Sequence, residues 1–330
     1  MNEIEKRVKG CLVGCAYGDA MGMPTEMLSA KDILKVFPNR VDYFEPSTEI
    51  DFIQRHFPAG KVTDDTINTI LVSESIIEDK GDFNTQHYID KLLDWVNKNS
   101  TVNSYIMGPN SLKALQAIKN GMPINEAGKF STSNGSAMKI SPIGIVYDYR
   151  NETKFIDYVE RLCLPTHNTN IAISASTCIA ACVSYGIRGG TNINELKEIS
   201  MKYSDLGMNR GNQLVTPLIS ERLKAVYEDL EKYDEKKMIS RLQNFYGTGM
   251  EVIQTIPTVM AIVFLSELNP KKSAILSANI GGDTDTVGAI ATAICGSITQ
   301  NFTSQDIQKL EETNDIDFTM LSSQLAQFVE

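Results

Sequence analysis

GDTDTVGAIATAICG, residues 282–296, is the stretch that decides how this chain folds. After its acidic start, Gly, Ala or Cys occurs on nearly every helical turn. Such a helix has no broad polar face for water, so it belongs in the interior with neighbouring backbones close against it. Residues 172–184 have the same small-residue character. The two segments together predict a central pair of buried helices.

Helical periodicity extends through the rest of the chain, whereas the two-residue alternation typical of strands is scarce. Turn signals such as Lys80-Gly81-Asp82 and Asn269-Pro270 punctuate it at helix-length intervals. No linker or break in composition divides it, so we predict an all-α fold: one compact multi-helix domain over residues 1–330, with about a dozen helices. Apolar residues recur at three- and four-residue spacing in segments 67–77, 88–96, 112–118, 171–185, 218–230, 252–265 and 287–298.

Charge and composition exclude several kinds of partner. The formal net charge is -10, and no segment carries the clustered Lys and Arg that a nucleic-acid surface needs. No stretch reaches the roughly 20 apolar residues that span a bilayer, and no signal peptide is evident, so we expect no membrane partner and a cytoplasmic location. The six cysteines lie in apolar surroundings typical of reduced core residues. Cys11/Cys15 and Cys178/Cys182 leave a four-thiolate zinc site as a minor alternative.

Two acidic clusters open apolar helices far apart in sequence: TDDT, residues 63–66, and DTDT, residues 283–286. Each one alone is compatible with an ordinary helix cap. The second cluster, however, enters a helix that should be deeply buried, and no Lys or Arg lies near it in sequence. Isolated ionised carboxylates are very costly to bury unless they are paired or bind a metal. The all-oxygen set suits Mg²⁺ or Mn²⁺, and there are enough ligands for two ions.

Two rival interpretations of the acidic clusters fit the sequence less well. A calcium-binding EF-hand requires a twelve-residue loop with Gly at position six and Glu at position twelve, and neither cluster matches it. A histidine-rich phosphohydrolase site would need more histidines than His56, His87 and His167. We therefore keep the oxygen-ligated metal site.

Three further segments carry polar residues, and each also has an ordinary structural explanation. GCAYGDAMGMPTE, residues 14–26, predicts a small-residue helix ending in a loop that presents Asp19 and Glu26, or a solvated acidic tail. TSNGSAMK, residues 132–139, predicts a polar turn whose amides receive a phosphate, or an Asn-Gly turn. PTHN, residues 165–168, places a lone histidine before a small-residue helix, where a histidine is more often structural than catalytic.

These five segments, in this order, resemble the ADP-ribosylglycohydrolase family, which includes dinitrogen reductase-activating glycohydrolase and the ADP-ribosylarginine and ADP-ribosylserine hydrolases. The resemblance covers nearly the whole chain. The pairing of TDDT with GGDTDT, residues 281–286, is highly specific, whereas each other motif alone would be weak. The chain resembles above all the bacterial members that lie beside sugar-kinase-type genes.

The resemblance implies a compact all-α fold, two Mg²⁺ (or Mn²⁺) ions and a set of site residues. Glu26 falls where family members such as the ADP-ribosylserine hydrolases place a catalytic glutamate. Lys139 departs from the arginine that many members carry. The implied metal ligands are Thr63, Asp64, Asp65, Asp283, Asp285 and Thr286. The implied substrate-binding residues are Asn134, Gly135, Ser136, His167 and Gly282.

The implied activity is metal-dependent hydrolysis of the bond at C1 of an ADP-ribosyl or related ribosyl group, on a small molecule or a protein. One alternative is a hydrolase of a free ribosylated metabolite or nucleoside-like compound. Another is a non-catalytic ADP-ribose-binding protein, because some relatives serve as lens crystallins. The non-catalytic alternative predicts lost metal ligands, whereas all six positions are present in this sequence.

Overall fold

The computed structural model describes residues 1–51, 53–99 and 108–330, and within these ranges it contains seventeen α-helices and no strand. The predicted all-α fold is therefore confirmed. The helices are α1 (Glu3–Gly22), α2 (Ala30–Val36), α3 (Asp64–Glu78), α4 (Thr85–Lys98), α5 (Pro109–Lys119), α6 (Ile124–Ala127), α7 (Ser141–Val146), α8 (Glu152–Cys163), α9 (Asn170–Ile187), α10 (Ile193–Gly207), α11 (Ile219–Lys232), α12 (Glu235–Arg241), α13 (Val252–Leu265), α14 (Pro270–Ala278), α15 (Thr284–Ile298), α16 (Ser304–Asn314) and α17 (Phe318–Ala326).

All seven periodic segments are helical, but the expected count of about a dozen helices was too low for the described part of the chain. The additional helices are mostly short. Helix α6 has four residues and α7 has six, so neither is long enough to show a repeating apolar pattern. Three further single turns complete the helical structure: 3-10 turns at Met23–Thr25 and Ala137–Lys139, and a π turn at Leu242–Tyr246.

Helices α1 and α15 form the most extensive contact between any two described helices. Glycines on α1 recur every four residues and face the backbone of α15 directly. A Cβ atom added at Gly18 would lie 2.0 Å from the carbonyl oxygen of Gly288, and one added at Gly14 would lie 2.4 Å from that of Thr292. The close approach of the two backbones therefore requires the absence of side chains on this face.

The sequence predicted that residues 172–184 and 282–296 form a central pair of helices. In the structure the main partner of the second segment is α1 instead. Helix α15 packs chiefly against α1, although α9, the other small-residue helix, also contacts it. The four-residue glycine spacing of α1 provides a groove, whereas α9 meets α15 over a smaller contact in which a single glycine, Gly186, lies against the side chains of Ser297 and Ile298. All 18 residues of α9 are buried, so although its length and apolar composition would suffice to cross a membrane, it lies here as an interior helix.

Helices α1 and α15 run antiparallel, so the C-terminal end of α1 lies beside the N-terminal end of α15. Gly22, the last residue of α1, lies against Thr284, the first residue of α15: a Cβ at Gly22 would be 2.3 Å from the Thr284 carbonyl oxygen. Helix α3, which begins at Asp64, also contacts both of these helices. The C-terminal end of α1 therefore meets the N-terminal ends of α3 and α15, where the two acidic clusters lie.

Candidate active site

A cavity of about 310 Å³ opens where these three helices meet. It brings together two clusters that are more than 200 residues apart in sequence. The Glu26 side chain borders the same cavity, as do three of the five predicted substrate-binding residues, Asn134, Gly135 and His167. All six predicted metal ligands border it: Thr63, Asp64, Asp65, Asp283, Asp285 and Thr286.

In neither acidic cluster does the N-cap residue cap its helix through its side chain. Thr63 and Asp283 occupy the N-cap positions of α3 and α15, yet neither side chain accepts a hydrogen bond from its helix. Among the described residues, the Oδ1 atom of Asp65 is buried without a hydrogen-bond partner. A buried, unpaired carboxylate oxygen needs a donor or a cation. These side chains are therefore placed for something other than helix capping.

The carboxylate of Asp19 provides the missing cap from another helix. It accepts hydrogen bonds from the backbone amides of Thr63 and Thr66, at 3.0 and 3.1 Å, and from their hydroxyls, at 2.9 and 2.5 Å. One oxygen of Asp19 also lies within 4.8 Å of one oxygen each of Asp65 and Asp285. Because both Asp19 oxygens are already occupied, this side chain positions α3 and adds negative charge rather than offering a free metal ligand.

The hydroxyl groups of the clusters are oriented by neighbouring carboxylates. Thr63 donates its hydroxyl hydrogen to Asp19, and Thr286 donates its own to Oδ2 of Asp65 at 3.3 Å. A hydroxyl that donates its hydrogen to one acceptor keeps its lone pairs for a cation on the other side. Both threonines therefore present oxygen atoms that can serve as metal ligands.

Burial and mutual repulsion favour the protonated forms of these carboxyl groups. Burial raises the pKa of Asp64 and that of Asp283 to about 7. Burial, followed by the charges of neighbouring carboxylates, raises the pKa values of Asp65 and Asp285 well above their usual range. A divalent cation would reverse these shifts by supplying the missing positive charge. The donor set is entirely oxygen, so the site fits Mg²⁺ or Mn²⁺.

One cationic side chain does lie in the site, and it was not among the residues predicted from the sequence. Arg55 is the only Lys or Arg among the described residues that border the cavity. Its guanidinium donates to Glu26 at 2.5 Å and to Asp51 at 3.1 Å. Arg55 lies in an irregular loop without a periodic pattern, so no sequence signal connected it with either acidic cluster.

Neutral polar groups also line the cavity. Asn134 donates to Oδ2 of Asp283 at 2.5 Å, which joins these groups to the acidic ones. The ring of His167 lies against Gly135, where an added Cβ would be 2.8 Å from Cε1, and its Nε2 atom is 3.1 Å from the Ser133 hydroxyl. Burial lowers the pKa of His167 well below its usual 6.5, so the ring is neutral at physiological pH.

Ser136 and Gly282, two of the predicted substrate-binding residues, do not border the cavity, and neither does Lys139. The Ser136 hydroxyl accepts a hydrogen bond from Ser176 at 2.9 Å. Gly282 instead holds the loop after Glu26, because its carbonyl accepts from the Met27 amide at 2.7 Å. Lys139 is fully buried over the ring of Tyr88, and burial lowers its pKa to about 8.

Sequence comparison places the chain among known proteins. The profile of the family described as ADP-ribosylglycohydrolase matches residues 1–327. The chain belongs to this family. The ADP-ribosylglycohydrolase profile covers both acidic clusters and the Glu26 loop. Membership supports the ribosyl hydrolase activity that the resemblance implied, and the family generally uses divalent metals.

Individual relatives agree with the family assignment. This chain is 30% identical over 329 residues to YegU of Escherichia coli K12, covering 98% of this chain and 97% of that protein. It is 24% identical over 322 residues to human ADP-ribosylhydrolase ARH3, covering 88% and 85% of the two chains. A solved structure of an ADP-ribosylglycohydrolase-related protein complex superposes with a TM-score of 0.71 at 20% identity, covering 100% of both chains, which supports the fold.

Proposed function

We propose that this protein is a divalent-metal-dependent hydrolase that cleaves the bond at C1 of an ADP-ribosyl or related ribosyl group. The observation that carries the proposal is the convergence of both acidic clusters and Glu26 on one cavity. Family membership supports the reaction class. A buried carboxylate oxygen without a partner, on Asp65, supports the metal.

The residues for metal binding come from two helix starts. Thr63, Asp64 and Asp65 begin α3, and Asp283, Asp285 and Thr286 begin α15; these six would hold two Mg²⁺ or Mn²⁺ ions. Bound ions would supply Lewis-acid polarisation at the ribose hydroxyls and at a water molecule. Asp19 holds α3 in the required orientation through Thr63 and Thr66.

Glu26 is the candidate general acid or base. Its side chain is 13% exposed at the cavity, in the first residue after the 3-10 turn Met23–Thr25. Cleavage at C1 of a ribose passes through an oxocarbenium-like transition state, in which a carboxyl group assists the leaving group or the attacking water. Burial raises the pKa of Glu26 well above its usual range, and Arg55 opposes that shift. The two influences act on a carboxyl group that must exchange a proton during the reaction.

A free ribosylated metabolite or nucleoside-like compound is the second candidate substrate. Arg55 is the only cation on the described cavity wall, and its guanidinium is already paired with Glu26 and Asp51. The residues between the described ranges, Phe52 and positions 100–107, include no Lys or Arg in the sequence. A diphosphate would therefore depend on backbone amides and hydroxyls, whereas an uncharged riboside needs no cation.

A substrate screen tests these proposals. The protein would be incubated with ADP-ribosylarginine, an ADP-ribosylserine peptide and simple ribosides, with Mn²⁺ or Mg²⁺ and with EDTA. We expect EDTA-sensitive hydrolysis of at least one class, and the preferred class decides between the two candidate substrates. Binding of ADP-ribose by calorimetry without release from any substrate would instead support a non-catalytic binding protein.

A further inference from the structure

Two exposed apolar side chains lie at the edge of the cavity. Met27 is 45% exposed and Met250 is 43% exposed, and among the described residues that border the cavity these are the two exposed large apolar ones. Neither belongs to the predicted metal ligands or to the neutral polar groups. Covering apolar surface from water is favourable, so two such side chains beside one cavity provide a surface on which an apolar ligand group can bind.

The backbone of Met27 is held in a conformation that methionine rarely adopts. Its φ value is 63°, in the left-handed region that favours glycine. Its amide donates to the Gly282 carbonyl at 2.7 Å, and the Gly282 amide donates to the Leu28 carbonyl at 2.9 Å. Unfavourable backbone conformations persist only where surrounding contacts enforce them, and they concentrate at functional sites. The contacts with Gly282 therefore fix Met27 beside the start of α15.

Met250 is connected to the same helix start by a second set of contacts. The Asp283 amide donates to the Thr248 carbonyl at 2.8 Å. The Met250 carbonyl accepts the Asn134 amide at 2.9 Å, and the Asn134 side chain donates to the Asp283 carboxylate at 2.5 Å. Both methionines are therefore positioned by segments that bond to residues 282–283, where α15 presents its predicted metal ligands.

The same placement brings Met27 beside the proposed reaction centre. Glu26, the candidate acid or base at C1, directly precedes Met27 in the chain. Hydrolysis of an N-riboside forms a bond between a water oxygen and C1 and breaks the C1–N bond, and the departing nitrogen gains a proton that the water gives up. The group attached to C1 must lie within reach of Glu26, and Met27 is the next residue.

The chemistry of this edge suits a flat, uncharged ring. Methionine side chains are unbranched and polarisable, and their sulfur atoms make favourable contacts with aromatic rings. A diphosphate finds one cationic side chain on the described cavity wall, Arg55, which is already paired with carboxylates. A guanidinium finds one exposed carboxylate there, that of Glu251, and ion pairs in contact with water contribute little.

We propose that Met27 and Met250 form the subsite for the leaving group, and that this group is a flat, uncharged nitrogen heterocycle, as in a ribonucleoside. The inference rests on the proposed hydrolysis at C1, and it names the leaving group within the second candidate class of substrate. In this proposal both methionines are specificity-determining residues, because they bind the ring rather than the sugar. The products are ribose and the free heterocyclic base.

The test compares three ligands that cannot be hydrolysed, each titrated by calorimetry in the presence of Mn²⁺. They are 1,4-anhydroribitol, which has no ring substituent, a phenyl C-riboside, which carries the ring at C1, and the 5-O-phenyl ether of 1,4-anhydroribitol, which carries it at the other end of the sugar. We expect the ring at C1 to raise the affinity about tenfold or more, because it covers apolar surface of both methionines. The ring at the other end should add less than about twofold.

Variants of the two methionines locate the gain in affinity. Met27→Gly removes one side chain at a φ value that glycine adopts without strain, and Met250→Ala removes the other. Each should lower the gain from the C1 ring by about threefold or more while the affinity for 1,4-anhydroribitol stays unchanged. Met27→Leu keeps the apolar surface and should keep the gain to within about twofold. Met122→Ala is the matched control, because Met122 is also 45% exposed but does not border the cavity.

The binding results decide the subsite. The proposal is wrong if the ring at C1 adds no affinity to the wild type, if the full gain survives in either Met27→Gly or Met250→Ala, or if the ring at the other end of the sugar adds as much. Thermal melts and the 1,4-anhydroribitol affinity identify a variant that fails to fold.

Turnover decides the leaving group. Higher kcat/KM for uridine or inosine than for ADP-ribosylarginine supports the proposal, and the reverse order overturns it. Absence of turnover on every ribosylated compound would instead refute the proposed function, and the calorimetry, which needs no turnover, would still show whether Met27 and Met250 bind a ring at C1.

Discussion

The carboxylate of Asp19, near the C-terminal end of α1, accepts the hydroxyl hydrogen of Thr63 at 2.9 Å, across 44 positions of sequence. The same carboxylate accepts the backbone amide of Thr63, so it holds both the start of α3 and the direction of the Thr63 hydroxyl. Groups that orient metal ligands in this way often affect metal affinity as much as some ligands do.

Asp19→Asn should weaken Mn²⁺ binding by about 10- to 100-fold, because the amide loses the charge and replaces one acceptor oxygen with a donor. Isothermal calorimetry measures the affinity. Asp306→Asn is the matched control, because Asp306 is also buried and caps α16, but its partners are Thr303 and Lys271 rather than a predicted metal ligand. Unchanged Mn²⁺ affinity in Asp19→Asn would show that Asp19 does not support the ligands.

Glu26→Gln should lower kcat by about a hundred- to ten-thousand-fold while metal binding is retained, because the amide cannot exchange a proton. Steady-state kinetics on the best substrate of the screen measures the loss. Glu251→Gln is the control, since Glu251 borders the same cavity but is exposed. Full activity of Glu26→Gln would remove Glu26 from the mechanism.

The stability of the metal-free protein should fall as the pH rises. Asp64 and Asp283 have folded-state pKa values of about 7, above the usual 3.8 of an aspartate. A carboxyl group with a raised folded-state pKa stabilises the fold most below its unfolded pKa, and this contribution is lost as the pH passes the folded value. The midpoint temperature of EDTA-treated protein should therefore be lower at pH 7.5 than at pH 5.

Added Mg²⁺ or Mn²⁺ should raise that midpoint more at pH 7.5 than at pH 5, because the cation binds the ionised carboxylates and stabilises only the folded state. Calorimetric scans at both pH values, with and without EDTA, provide the comparison. Equal metal-induced shifts at the two pH values would contradict buried carboxylate ligands.

Gly18→Ala should destabilise the protein by about 3 kcal/mol or more, because its Cβ would lie 2.0 Å from the backbone oxygen of Gly288 and would separate α1 from α15. The separation should also weaken Mn²⁺ binding, since the two helices carry Asp19 and Asp285. Chemical denaturation measures the free energy of unfolding. Lys6→Ala, on the exposed side of α1, should change it by less than about 0.5 kcal/mol.

Much of the fold, and the need for a cation at the acidic clusters, could be predicted from the sequence because both depend on residues that are close together in the chain. Three- and four-residue apolar spacing determined the long helices, and small residues marked 282–296 as interior. Carboxylates at the start of a buried helix indicated a cation, because an unpaired buried charge is very costly whatever residues surround it. Short helices such as α6 carried no repeating pattern and were missed.

Only the tertiary structure decided which groups meet. The glycine face of α1 sets an antiparallel register with α15, and that register places Asp19 beside Asp285. Arg55 reaches Glu26 from an irregular loop, through contacts that no periodicity encodes. The sequence determined that carboxylates must be buried and neutralised; packing determined that a fixed guanidinium neutralises one of them, because that choice depends on distances between segments remote in the chain.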